Sequence, residues 1–155
     1  MDVEILPATP DQAEALTQIA FAAKRHWGYP ERWIQLWSPL LTITPELIEQ
    51  HETYVAYEED DKPVGFCAIS IEAEKASVEH LWVLPEYMGK DVGANLFKHM
   101  LSRCKELGMR FLEIESDPNA QGFYERMGAK KIGQSASELD GQPRILPILK
   151  INLSD

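Results

Sequence analysis

From Tyr54 onward the apolar residues stop recurring at steps of three and four and begin to alternate, and this change of period limits the fold more than any other feature. The stretch "YVAYEEDDKPVGFCAISIEAEKASVEHLWVLP" reads as three strands, with turns at residues 59–62 and around residues 74–75, an antiparallel meander. In "DVGANLFKHMLSRCKELG" the helical period returns. Leu96, Met100, Cys104 and Leu107 share a side with Phe97 and Leu101, and Gly108 supplies the stop. "RFLEIES", "AKKIGQSAS" and "RILPILKINL" read as strands, and "PNAQGFYERMG" as a short helix closed by Gly128. Pro147 has no N–H to give a ladder, so a bulge or an unpaired edge is expected there.

Ahead of Tyr54 the pattern is a short strand at residues 3–6 followed by helices. Thr9 and Gln12 stand at the spacing of a capping box with Pro10 at the first helical position, and Ala13, Leu16, Ala20, Ala23 and Trp27 form one stripe expected to be buried. Gly28 ends that helix. Pro30 can open a second through Trp33 and Trp37, closed by Ser38 and Pro39, and Thr44 with Pro45 opens a third. The segment "HWGYPERWIQLW" between the first two helices carries three of the four tryptophans. The spacing of Trp33, Trp37 and Leu40 suits core packing, whereas His26, Gly28 and Tyr29 fall outside it.

No repeat, low-complexity tract or linker interrupts the chain, and 155 residues suit one core, so residues 1–155 read as a single domain. A net charge of -10 opposes phosphate backbones and anionic lipid, which argues against nucleic acid and membrane as main partners and tilts weakly toward a cationic small molecule or peptide. No apolar run approaches the length of a membrane span, and the start "MDVEILPATP" has neither a basic region nor an apolar signal core; a cytoplasmic location is expected. Cys67 and Cys104 read as two thiols in apolar surroundings. With no His, Cys or carboxylate set at ligand spacing, no metal is expected.

The junction "LWVLPEYMGKDVGANL" has a chemical meaning of its own. A strand ends at Pro85, a glycine-bearing turn follows and a helix begins, so backbone N–H groups and the positive end of a helix can converge on an anion such as a phosphate. Packing alone also produces such junctions. The wider pattern resembles the GNAT acetyltransferase superfamily, in which a strand "L-hydrophobic-V-x-P" leads into "Arg/Gln-x-x-Gly-x-Gly/Ala" and a long helix. Here these are Leu81, Trp82, Val83, Leu84 and Pro85, then Met88, Gly89, Lys90, Asp91, Val92 and Gly93. The family's downstream Asn and "F-Y-x-x-x-G" are matched by Asn119 and by Phe123, Tyr124 and Gly128. The chain also resembles an uncharacterised branch of that family carrying "HWGY", "DPNA" and "R-x-LP", present here at residues 26–29, 117–120 and 144–147.

The resemblance implies an α/β (α+β) fold, a mixed, mostly antiparallel sheet of about seven strands flanked by helices, with a coenzyme A cleft between the central strands. It implies transfer of an acetyl group from acetyl-CoA, the cosubstrate, to a primary amine of a small molecule or peptide by direct attack on the thioester. By position in the motifs, Leu81 and Val83 would present backbone N–H groups to the cosubstrate. Met88, Gly89, Lys90, Asp91, Val92, Gly93, Ala94 and Asn119 would also bind it, and Tyr124 would donate a proton to the departing thiolate. Glu79 shares a strand face with Leu81 and Val83 by the period of two and is the candidate base, while His80 falls on the other face with Trp82. The first two helices and their turn flank the acceptor side in the family, which makes His26, Tyr29 and an edge of Trp33 the candidate acceptor contacts. Met88 and Asp91 depart from the family pattern, and Asp91 places a carboxylate beside the expected pyrophosphate. Those departures keep a second expectation in view, a coenzyme A-binding regulatory module without turnover. A third is a structural domain that uses the fold to form a homodimer.

Overall fold

The computed structural model describes residues 3–59 and 61–153, so the expected turn at residues 59–62 is described apart from Asp60. The chain divides into two compact units, residues 1–70 with 79–100, and residues 71–78 with 101–155.

In the first unit the capping spacing works as expected. Thr9 N–H donates to Gln12 Oε1 at 2.9 Å, a 3-10 turn occupies Pro10–Gln12, and α1 runs Ala13–His26. Three short helices follow, α2 Glu31–Leu36, α3 Ser38–Leu41 and α4 Pro45–Gln50, the last capped by Thr44 Oγ1, which accepts from Leu47 N–H at 3.1 Å. Strand β1 (Glu4–Pro7) is antiparallel to β2 (Glu52–Tyr57), and β2 to β3 (Pro63–Ile71). Leu16, Ile19, Ala20, Ile34, Leu41, Ile43, Val55 and Phe66 form the core beneath the helices.

Two expectations about the aromatic segment change. Trp27 does not end a buried stripe: α1 stops at His26, one residue short of it, and the ring is 41% exposed, edge-on to His26 at 5.5 Å. The apolar face of the next two helices is shifted by one position, so Ile34 and Leu41 are buried while Leu40 is 72% exposed.

Strand β4 (Lys75–Val83) passes through both units, as does α5 (Val92–Glu106). Gly65 on β3 shows how tightly α5 is seated in the first unit. A Cβ there would stand 2.9 Å from the Trp82 carbonyl oxygen and 3.2 and 3.3 Å from Leu96 and Val92. In the second unit Lys75, Ala76 and Ser77 lie parallel to Phe111, Leu112 and Glu113 of β5 (Phe111–Glu115). Strand β7 (Gln142–Asn152) is antiparallel to β5 and to β6 (Lys130–Leu139), and α6 occupies Gln121–Arg126. Asp140 and Gly141, both at positive φ, close the β6–β7 hairpin. The strand order is β1-β2-β3-β4-β5-β7-β6, the mixed, mostly antiparallel seven-stranded sheet expected. Pro147 stands one residue beyond the point where β7 leaves β5, so its missing N–H interrupts no bond to that strand. The bulge lies instead on β6, between Lys131 and Gly133.

Candidate functional site

The junction after β4 is built from two consecutive turns. Leu84 N–H donates to Val64 O at 2.9 Å, tying the end of β4 to β3. A 3-10 turn then occupies Pro85–Tyr87, and Met88 N–H donates to Pro85 O at 3.2 Å. The Met88 amide is therefore committed within the turn. Gly89 and Asp91 both take positive φ, +78° and +67°. The helix starts just after Asp91, whose carbonyl accepts its first bond from Asn95 N–H at 2.9 Å. The amides of Val92, Gly93 and Ala94 precede that bond, the stretch in which a helix has donors without intrahelical acceptors. Asp91 thus stands where the family has glycine because the backbone there is left-handed, a conformation Asp tolerates better than most residues.

Two lysines flank this turn. Lys90 Nζ lies 5.5 Å and Lys62 Nζ 5.9 Å from the Tyr87 ring centre, two cations on the residue that closes the 3-10 turn, in a chain of net charge -10. Lys62 belongs to the β2–β3 turn and was not legible as a site residue, because nothing in its local sequence ties it to residue 87.

Along β4 the alternation is visible in the bonding. Trp82 Nε1–H donates to His80 Nδ1 at 2.9 Å, and the Phe66 ring lies 5.8 Å from the imidazole. Burial is the main cause that pushes the His80 pKa down to about 4, with the Glu79 charge pulling up and His51 pushing further down. His80 is therefore a neutral acceptor at pH 7. Glu79, exposed, falls on the opposite face with Leu81 and Val83.

The segment after α1 is held by charge and by rings. Arg25 binds Glu31 through Nε at 3.1 Å and a second nitrogen at 3.0 Å, with Gln35 donating to the same carboxylate at 2.9 Å. The Arg25 hydrogen bonds keep the Glu31 carboxyl below its usual range. Tyr29 stacks on Trp33 at 5.9 Å and meets Trp37 edge-on at 5.0 Å. His26 turns away to Trp27, so the structure groups Tyr29 with Trp33 and Trp37 and leaves His26 outside their contacts. Beneath the group lies a residue that the sequence reading passed over, Lys24, only 8% exposed. Its ammonium is 4.1 Å from the Trp37 ring centre, 5.0 Å from Tyr29 and 6.0 Å from Trp82. The signal was present: Lys24 is four residues after Ala20, on the apolar face of α1.

In the second unit two motifs meet that are far apart in sequence. Asp117 Oδ1 accepts from Asn119 N–H at 2.8 Å and from Asn119 Nδ2 at 3.0 Å. Its other oxygen stands 4.0 Å from an Arg144 guanidinium nitrogen, the two side chains being 12% and 15% exposed. Ser116 N–H donates to Pro147 O at 2.9 Å. The "DPNA" turn is thus fastened to the "R-x-LP" strand. It leads directly into α6, where Tyr124 is buried with its ring 5.2 Å from Phe123, edge-on. Among the described residues no group of three or more His, Cys, Asp or Glu could hold a metal ion.

The family model described as acetyltransferase (GNAT) domain matches residues 14–142, and the chain belongs to that family. It is 34% identical over 92 residues to a Bacillus subtilis protein whose name marks it as a candidate ribosomal protein bS18-alanine N-acetyltransferase. That match covers 57% of this chain and 61% of the relative, so the chain spans about three fifths of that relative's length. The Salmonella typhimurium peptidyl-lysine N-acetyltransferase YjaB is 28% identical over 109 residues, 70% of each chain. In fold the chain is similar to the PaiA N-acetyltransferase of Thermoplasma acidophilum, solved in complex with coenzyme A, at TM-score 0.79 and 22% identity, covering 98% of this chain and 99% of that one.

Proposed function

We propose that this protein is an N-acetyltransferase that moves the acetyl group of acetyl-CoA to a primary amine of a peptide or small molecule. The observation that carries the reading is the turn before α5. Left-handed Gly89 and Asp91 lead the chain into a helix start at the amides of Val92, Gly93 and Ala94, and Lys62 and Lys90 lie against the ring of Tyr87 just ahead of that turn. Converging donors and cations of this kind fit a pyrophosphate. The coenzyme A complex of the fold neighbour and the acetyltransferase names of both relatives support the choice of cosubstrate. The relatives' names, one directed at a protein alanine and one at peptidyl-lysine, support a peptide amine among the acceptors.

In this reading residues 1–155 work as one acyltransferase domain in the cytoplasm. Val92, Gly93 and Ala94 hold phosphate oxygens through their amides. Gly89 and Asp91 shape the turn, Lys90 offsets the Asp91 charge, and Met88 contributes its side chain, since its amide is bonded to Pro85. The amides of Leu81 and Val83 hold the pantetheine arm and polarise the thioester carbonyl, which strengthens as charge develops on that oxygen. Glu79 draws the proton from the incoming amine through water, and the Tyr124 hydroxyl gives one to the departing thiolate. Asn119 assists cosubstrate binding, and His26, Tyr29 and Trp33 meet the acceptor. Among the described residues no helix is long and apolar enough to cross a membrane.

The test is release of free thiol from acetyl-CoA across a panel of polyamines, amino acids, peptide N-termini and lysine peptides. The proposal expects release that depends on the amine and recovery of the acetylated acceptor. Coenzyme A binding with no release from any amine would leave only the regulatory module.

A further inference from the structure

We infer that Lys24 is a positioning residue for the acceptor wall. Its ammonium fills an aromatic cage formed by Tyr29, Trp37 and Trp82, and so closes that cage to the cationic part of a substrate. The inference deepens the acetyltransferase reading and rests on it for the word acceptor. The cage itself rests on geometry alone.

Lys24 is the one charged side chain among the buried described residues, the other buried polar ones being Thr53 and Ser116. Burying an ammonium is costly unless its surroundings answer the charge. Three ring faces within 4.1 to 6.0 Å supply part of that answer through their quadrupoles, in the arrangement that elsewhere captures alkylammonium ligands. The rings are themselves braced. Tyr29 packs against Trp33 and Trp37, Trp33 against Trp37 at 5.9 Å, and the Trp82 indole is held by His80. The ammonium is thus the shared contact between the segment after α1 and the last residues of β4. Losing the charge removes that shared contact, whereas losing only packing leaves a site that any molecule of the right size refills.

A substrate cation beside this wall meets rings already engaged by the Lys24 ammonium. Acceptors with an uncharged or acidic group beside the amine are therefore preferred over polyamines. That preference does not follow from the net charge of -10, which on its own favours polycations.

The experiment uses the full chain with Lys24→Ala and Lys24→Met. Tryptophan emission is titrated with propylammonium chloride and, separately, with 1-propanol. Lys24→Ala is expected to give a saturable change with propylammonium only, and the wild type none. Equal response to both probes, or to neither, overturns the cage. Should Lys24→Ala not fold, Lys24→Met, which keeps the stem, decides: the inference expects emission altered from wild type, and unaltered emission overturns it. In turnover, Lys24→Met is expected to raise the acceptor KM about tenfold with the acetyl-CoA KM unchanged, and to raise the polyamine-to-peptide ratio of kcat/KM at least fivefold. An unchanged ratio overturns the specificity. The emission arm needs no turnover, so absence of thiol release in the wild type sinks the acetyltransferase reading alone.

Discussion

Asp91 shows how one residue can be read correctly as a departure and incompletely as a cause. The sequence marks it as a carboxylate beside a phosphate turn; the structure adds that it sits at φ +67°, where the absence of a Cβ would relieve strain. Both effects point the same way for Asp91→Gly. Coenzyme A should bind roughly five- to tenfold tighter, about 1 kcal/mol from the removed repulsion, and the melting temperature should hold or rise. Calorimetry showing equal or weaker binding would discard the account. His80 carries a second prediction. Its folded pKa of about 4 lies below the ordinary 6.5, so the unfolded chain takes up a proton first as pH falls. The associated stability, about 3 kcal/mol from the size of that shift, is full above pH 6.5 and lost progressively between 6.5 and 4. In His80→Gln, which keeps an acceptor for Trp82, urea unfolding midpoints should vary less with pH across that window than in the wild type; equal slopes would contradict the assignment.

At the scale of elements, the fastening of "DPNA" to β7 explains why two short motifs far apart in sequence belong together. Asp117 caps the turn ahead of α6 with one oxygen and faces Arg144 with the other, and both side chains are largely buried. Removing one charge leaves the other in poor solvent. Arg144→Met should therefore cost about 2–3 kcal/mol in denaturant unfolding, toward the low end for a buried pair because the separation is 4.0 Å. A cost below the usual surface value would mean the pair is incidental. The elements themselves were legible because periods of two and 3.6 alternate cleanly from β2 to α5. Trp27 and Leu40 misled because they extend a helical spacing past the residue where the helix has ended or shifted its face. Lys24 escaped because a lysine on a helix is ordinarily solvated, and its rings come from the turn before α2, the residue that follows α2 and β4.

At the scale of the molecule, the strand order and the family membership agree. The first unit holds the end of β4, the turn before α5 and the rings of Tyr29, Trp33 and Trp37; the second holds Asn119 and Tyr124. The motif residues were legible in sequence because each motif is local, whereas the sequence pointed to a single domain and not to two units. What they left unread were contributions from outside the motifs, Lys62 beside Tyr87 and Lys24 beneath Tyr29, which only the folded chain assembles. The central claim is acyl transfer with Tyr124 as proton donor to the thiolate. It is tested most directly by measuring amine-dependent thiol release from acetyl-CoA by wild type and Tyr124→Phe, with coenzyme A affinity measured on the same samples. The account predicts release by the wild type and a fall of roughly one hundredfold in kcat for the variant, within the usual range for a lost acid, at nearly unchanged affinity. Equal turnover by the two proteins would contradict it.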